Sequence, residues 1–153
     1  MKLQETRHKL LLSFIAFIFA LALHSQKAQA QIIGTLQADI PFQFHAGPTE
    51  LPAGRYSIEV LDDNDLTVMK ISSADGSKSA LFGVVAAEVK SNPDKSELTF
   101  NKYGDTYFLA TLFEEGNPDG SEVVQSRNEK NMAKNASGSQ EHVAALRQGQ
   151  PGI

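Results

Sequence analysis

The sequence predicts an all-β protein, either an antiparallel β-sandwich or a small barrel of about six to seven strands, with a short C-terminal helix. Three observations support this fold class. Between residues 36 and 113, six runs either alternate apolar and polar side chains or are apolar throughout, as strands with one or two buried faces are. Turn-forming residues separate the runs every 8–14 residues, a spacing typical of antiparallel sheets. No gap between them holds the crossover of about a dozen residues that neighbouring parallel strands require.

The first predicted strand covers residues 36–44, where the even positions are apolar. Pro41 cannot donate a hydrogen bond to a neighbouring strand, so it predicts a sheet edge or a bend at this point. The second predicted strand, 54–61, follows a turn that contains Pro and Gly. The remaining predicted strands are 66–71, 79–90, 98–103 and 106–113.

Two of the later runs carry more detailed predictions. The run 79–90 is apolar on both faces, which predicts the central strand of the sheet. Only Gly104 and Asp105 separate the last two runs. A two-residue connection of this kind predicts a hairpin, because Gly takes the positive φ that a primed turn requires.

The composition changes near the C-terminus, where no Phe or Tyr occurs after Phe113. Ser126 and Glu129 fit a capping box, which predicts a helix over 127–135. A second short helix over 141–148 is an open alternative. Because little apolar surface remains to offset the entropy of ordering, the end of the chain is predicted to be frayed or disordered.

The first thirty residues have the layout of a secretory signal. An apolar run over 10–23 follows a basic stretch, and it is shorter than the roughly 20 apolar residues of a transmembrane helix. Ala28 and Ala30 are the small residues that a signal peptidase reads, which places the cleavage before Gln31. We therefore expect a periplasmic or extracellular protein with no membrane span after cleavage. The predicted division is a signal peptide at 1–30, a β-sandwich or barrel domain at 31–120 and a helical, partly disordered tail at 121–153.

Charge and cysteine content narrow the classes of partner. The whole chain has a formal charge of −4, but residues 31–120 hold 6 basic and 14 acidic groups, a net charge of −8. Nucleic-acid binding depends on basic contacts with phosphate, so this acidic body excludes that class of partner. The chain has no Cys, so it has neither a site for lipid attachment nor disulfides.

The sequence lacks the usual signatures of catalysis and metal binding. The cluster 62–65 has three carboxylates, but the Gly and Glu of a twelve-residue calcium loop are missing at the required spacing. After residue 30 the chain has two histidines, His45 and His142, no thiol, and neither Gly-x-Ser-x-Gly nor Ser-x-x-Lys. We predict no catalytic, cofactor-binding or metal-binding residues and no cofactor. The protein is therefore predicted not to be an enzyme, with a hydrolase as the least favoured class.

Aromatic residues flank the Gly104 turn and alternate along the first strand. Aromatic residues on strands usually belong to the core, and their functional interpretation is an apolar cavity or an exposed patch at one end of the barrel. The candidate ligand-lining residues are Phe42, Phe44, Tyr103 and Phe108.

Several short motifs are spread over the predicted strands and the start of the helix. They read PFxFxxG at 41–47, LPAGxYxI at 51–58, YGDxYFL at 103–109 and SRxE at 126–129. In these motifs, which extend over roughly residues 38–135, the sequence resembles a family of small exported bacterial proteins that pair a signal peptide with a β-rich domain. The resemblance implies export and a β fold, and it implies no activity, substrate or cofactor.

These observations predict an exported, non-catalytic β domain that acts as a binding or structural module of the cell envelope. Its partner would be a protein, a glycan or a small apolar ligand. The alternative is a carrier that holds a small apolar ligand in a cavity inside the barrel.

Overall fold

The computed structural model describes residues 34–62 and 65–148. The predicted signal peptide, with Ala28, Ala30 and Gln31, lies outside the described residues. The described residues form ten strands and one helix, α1 (Arg127–Asn135), which lies between the last two strands. The strands are β1 (Leu36–Ile40), β2 (Phe44–Ala46), β3 (Thr49–Leu51), β4 (Gly54–Asp62), β5 (Asp65–Ser73), β6 (Ser79–Glu88), β7 (Glu97–Tyr103), β8 (Thr106–Phe113), β9 (Asp119–Val123) and β10 (Gly138–Arg147).

Eight of these strands close into an antiparallel barrel. Their order is β8-β7-β10-β1-β4-β5-β6-β9, and β9 pairs again with β8 to complete the ring. The prediction of an antiparallel all-β fold is confirmed, and of the two architectures left open the barrel is supported, whereas the sandwich and the count of six to seven strands are wrong. The count was too low because β9 and β10, which the sequence pattern did not reveal, are needed to close the barrel.

The β2–β3 hairpin completes one end of the barrel wall. The edge of β8 changes partner along its length, because Thr111 and Leu112 pair with β9 while Tyr107 and Phe108 pair with β2 in parallel. Between these two stretches the register of β8 against β7 shifts, as in a β-bulge. Pro41 lies in the bend between β1 and β2, as predicted.

The interior of the barrel is occupied by side chains from alternate positions of its strands. Phe44 from β2 makes edge-on contacts with Tyr56, at 5.3 Å between ring centroids, and with Phe100, at 5.5 Å. Complete burial of each such side chain stabilises the fold by about 1.5–3 kcal/mol relative to exposure. The fully buried core residues include Leu36, Ile40, Phe44, Tyr56, Ile58, Met69, Ile71, Leu98, Phe100, Leu109 and Leu112.

Two local predictions are confirmed. The helix α1 covers the predicted residues, and the Ser126 hydroxyl caps it by accepting from the Glu129 backbone N–H at 3.2 Å. The two-residue hairpin between β7 and β8 places Tyr103 opposite Thr106, with Gly104 at φ 62°. No helix among the described residues has the length and apolar character needed to span a membrane.

The C-terminal segment departs from the prediction. Residues 138–147 form β10, which pairs with both β7 and β1. The stretch is therefore neither frayed, as predicted, nor the second short helix that the sequence left as an alternative. The strand is held by neighbours on both sides and buries Val143 and Ala145, which a local count of apolar residues underestimates. The predicted domain boundary at residue 120 falls inside β9.

The strand β6 also differs from expectation. It is apolar on both faces, yet only one face is buried, because Leu81 and Val85 point outward and are each 52% exposed. In a closed barrel each strand has two neighbours, so no strand is central in the sense that applies to an open sheet.

Candidate functional site

The candidate functional site lies on the outward-facing side chains of β7 and β8, called here the outer wall. Leu98 and Phe100 of β7 belong to the core. The residues between and beside them point outward, because successive side chains of a strand face opposite sides. On β7 these are Glu97, Thr99, Asn101 and Tyr103, and on β8 they include Phe108, Thr111 and Phe113.

A groove of about 510 Å³ occupies one end of the outer wall. Its volume is in the range of about 300–1,000 Å³ that is usual for small-molecule sites. The connection between β6 and β7 forms one side, and β7, β8 and β10 form the floor. The lining residues are Val89, Ser91, Pro93, Asp94, Lys95, Glu97, Thr99, Phe113 and His142.

Three charged or titratable side chains converge in this groove. One oxygen of the Glu97 carboxylate lies 2.5 Å from His142 Nδ1, and the other lies 2.9 Å from Lys95 Nζ. Burial acts to raise the pKa of Glu97, but the hydrogen bonds from Lys95 and His142 outweigh it and hold the pKa below its ordinary value. The carboxylate is therefore a fixed negative charge between two cationic or hydrogen-bonding groups.

The remaining walls of the groove are largely apolar, with Val89, Pro93 and Phe113 near the charged group. An apolar surface beside a few converging polar groups is the usual composition of a site for a small organic ligand. Among the described residues, no three His, Cys, Asp or Glu side chains are grouped in a way that could hold a metal ion.

A second cluster lies further along the outer wall, under α1. Glu129 of the helix is 3% exposed, and its carboxylate accepts hydrogen bonds from Asn101 Nδ2 at 2.9 Å and from Gln125 Nε2 at 3.4 Å. Burial raises the pKa of Glu129 above its ordinary value, although these hydrogen bonds act in the opposite direction. Of the residues in α1, it is the one that is buried.

His45 of β2 borders this second cluster. Its ring stacks on Phe108, with centroids 4.7 Å apart, and its Nε2 lies 3.4 Å from a carboxylate oxygen of Glu50 on β3. His45 also interacts electrostatically with the Glu129 carboxylate. The hairpin β2–β3, through His45, and the helix, through Glu129, thus contact the outer wall through polar and aromatic groups.

The four candidate ligand-lining residues separate into two pairs. Phe42 stacks on Tyr107 at 4.0 Å between centroids and packs against the core, which includes Phe44. Tyr103 and Phe108 lie on the outer wall with their centroids 6.0 Å apart. The barrel wall separates the two pairs, and none of the four residues lines the groove.

A smaller pocket of about 260 Å³ lies on the outside of β1 and β4. It is lined mainly by polar side chains, among them Arg55, which forms an ion pair with Asp39 at 2.9 Å. Both members of this pair are well exposed, with 65% and 71% of their side-chain surface accessible. The larger groove is the stronger candidate site, because it combines about twice the volume with an apolar lining.

Sequence reasoning missed the groove and the buried Glu129. Glu97 and His142 are 45 residues apart in the chain, and they meet only because β10 pairs with β7. The capping-box motif did single out Glu129, but it carried no signal that the carboxylate turns toward Asn101.

Compared with known proteins, the chain matches no family model, no curated protein and no solved structure.

Proposed function

We propose that this protein is an exported, non-catalytic binding module whose ligand site is the groove on the outer wall. The observation that carries the proposal is the composition of this groove, in which about 510 Å³ lie between apolar walls and the group formed by Lys95, Glu97 and His142. Export is supported by the signal pattern of the first thirty residues and by the family resemblance of the sequence motifs.

The groove favours a small amphipathic molecule over a protein or a glycan. Val89, Pro93 and Phe113 offer contact to an apolar body, while Lys95 and His142 sit where a polar head group would meet them. Both side chains keep more than half of their surface exposed, so they remain accessible to a ligand while they contact Glu97.

The alternative is a carrier of an apolar ligand inside the barrel. The packed interior weighs against it, since Phe44, Tyr56 and Phe100 fill the space between the strands and contact one another. A ligand inside would have to displace these rings, and loss of their packing would cost about 3–5 kcal/mol for each ring removed.

A hydrolase is the third possibility, because Ser91, His142 and Glu97 all line the groove. A serine nucleophile needs its base within about 2.6–3.2 Å. No hydrogen bond joins Ser91 to His142 in the part of the chain that the structure describes. The lowered pKa of Glu97 also makes this carboxyl a poor general acid at neutral pH.

A binding experiment with an amphipathic anionic dye, 8-anilinonaphthalene-1-sulfonate, tests the proposal. We expect Phe113→Ala and Lys95→Ala each to weaken binding of the dye by about tenfold, which is about 1.4 kcal/mol. The matched controls are Phe42→Ala, an aromatic residue outside the groove, and Lys78→Ala, an exposed lysine outside it. Equal affinities in the groove variants and their controls would overturn the groove as the site.

Two further measurements separate the alternatives. Native mass spectrometry of protein purified from the exporting cell should show a bound mass that Phe113→Ala loses; a mass that this variant retains favours the carrier. A panel of ester, amide and glycoside substrates should show no turnover, and turnover that Ser91→Ala abolishes would contradict the non-catalytic proposal. Mass spectrometry of the same material should also find Gln31 as the first residue.

A further inference from the structure

The contact between α1 and the barrel is made through an acidic side chain. A helix that lies on a sheet normally buries an apolar stripe, whereas the buried residue of α1 is Glu129, at 3% exposure. Met132 is half-buried, and the other residues of the helix are exposed. The attachment of the helix therefore depends on how well a carboxyl group is accommodated at the outer wall.

The immediate partners of Glu129 are neutral. Its Oε1 accepts from Asn101 Nδ2 of β7 at 2.9 Å and from Gln125 Nε2, just before the helix, at 3.4 Å. Neutral amides compensate a buried negative charge less fully than a cationic partner does, because the charge is still removed from water. Burial is accordingly the largest influence on the pKa of Glu129, and the pKa is raised.

Three titratable groups interact with this carboxyl. His45 of β2 attracts the ionised form, and His45 itself lies against Glu50 of β3. Tyr103 of β7 has its own pKa raised, by burial first and by the Glu129 carboxylate second. Lys130 of the helix attracts the carboxylate as well. Attraction by His45 and Lys130 therefore opposes the effect of burial without cancelling it.

We propose that α1 is a pH-sensitive cover of the outer wall, held in place when Glu129 is protonated and loosened when it ionises. Loosening would uncover Phe108 and Tyr103 beside the helix. This inference goes beyond the proposed function and does not depend on the groove, because none of the residues that hold α1 lines it.

The sign of the effect follows from linkage. A carboxyl whose pKa is higher in the docked state than when exposed binds more protons in the docked state. Docking is then strongest below the ordinary carboxyl pKa and weakens as pH rises through the raised pKa of Glu129.

Amide hydrogen exchange of the purified protein at pH 5 and pH 8, corrected for intrinsic exchange rates, tests the proposal. The Lys130 and Ala136 amides report on the helix, since they donate to Ser126 O and Met132 O at 3.1 Å each. We expect about threefold or greater protection of these amides at pH 5 than at pH 8. The amides of β7 serve as an internal reference for the barrel and should show the same protection at both values.

Two variants and a control decide the role of Glu129. Glu129→Gln should show equal protection at both pH values, because its side chain does not ionise. Glu122→Gln, at an exposed position of β9, should keep the original ratio. Asn101→Ala removes a donor to the ionised carboxylate, so it should enlarge the ratio.

Several outcomes would overturn the proposal. These are a ratio of one in the unmodified protein, protection that rises with pH, or an unchanged ratio in Glu129→Gln. If Glu129→Gln fails to fold, Asn101→Ala decides the question, since a ratio no larger than that of the unmodified protein contradicts the proposal.

Discussion

Glu97 lies on the outer wall, and Glu129 of α1 contacts the same wall through Asn101. These two carboxyl groups have opposite environments. Glu97 is flanked by Lys95 and His142, and its pKa is lowered. Glu129 is more deeply buried and accepts from two amide groups, and its pKa is raised. The difference shows that a cationic partner can outweigh partial burial, whereas neutral donors leave the cost of deep burial uncompensated.

The two carboxyl groups also mark two different contacts along β7. Glu97 and Asn101 both point outward from β7, four residues apart. The end at Glu97 carries a charged group open to the groove, and the end at Asn101 carries a covered polar contact. The groove and the attachment of the helix can therefore be altered separately by substitution.

The largest expected difference is between removal of Glu129 and its conservative replacement. Glu129→Ala leaves the Asn101 amide without its acceptor, and it should lower the free energy of unfolding at pH 5 by about 1–3 kcal/mol. Glu129→Gln and the exposed control Glu122→Ala should each remain within about 0.5 kcal/mol of the unmodified protein. Urea unfolding measures all three. Equal losses in Glu129→Ala and Glu122→Ala would show that the buried contact contributes nothing.

The next effect concerns the pH dependence at Glu97. A lowered pKa in the folded state means that the ionised carboxylate stabilises the protein above the ordinary carboxyl pKa, and that this is lost as pH falls through the lowered pKa. Glu97→Gln should therefore be less stable than the unmodified protein at pH 7, by about 0.2–1 kcal/mol, and the gap should close at low pH. Urea unfolding measures this difference in free energy between the two proteins. An equal difference at pH 7 and at low pH would contradict the ion pair as its cause.

Salt should distinguish the two carboxyl groups by a smaller effect. In 1 M NaCl charges are screened beyond about 3 Å, so the stability gap between the unmodified protein and Glu97→Gln at pH 7 should shrink by about half. The ratio of helix protection between pH 5 and pH 8 should persist, since it arises mainly from burial of Glu129 and not from an exposed ion pair. Loss of both the stability gap and the protection ratio in 1 M NaCl would contradict the difference between an ion-paired Glu97 and a buried Glu129.

Asp75 is a third, exposed carboxyl group, and it forms no ion pair with a cation among the residues that the structure describes. Hydrogen bonds from Ser73 and from the Ser77 hydroxyl and backbone N–H lower its pKa to about 2. In Ser77→Ala the pKa, followed by the carbon shift of the carboxyl in NMR, should rise toward the ordinary Asp value. Ser79→Ala, at an exposed position outside this turn, should leave the pKa unchanged.

The parts of the fold that local signals define were predictable. The helix 127–135 begins at a Ser cap, the β7–β8 hairpin turns at Gly104, and the first strand bends at Pro41. Each depends on a residue type at one position and on its nearest neighbours in the chain. The groove was not predictable, because its Glu97 and His142 come from strands 45 residues apart.

The strand β10 shows why local patterns were insufficient at the C-terminus. Its inward side chains include only Val143 and Ala145, too few for the pattern to stand out as a strand. The hydrogen bonds of β1 and β7 on its two sides make it part of the barrel, and Leu36 pairs with Arg147 near the far end of the chain. Pairing between strands so far apart in the sequence produces no pattern among neighbouring residues.

The sequence alone determined the all-β class, the position of the helix and the acidity of the chain after its first thirty residues, because alternation, caps and charge are properties of neighbouring residues. Only the tertiary structure decided that eight strands close into a barrel, that Phe44 belongs to the core cluster while Phe108 stacks on His45 outside it, and that Glu129 is buried. These features depend on which strands pair and in which register, and a change of register by one residue turns every side chain of a strand to the other face.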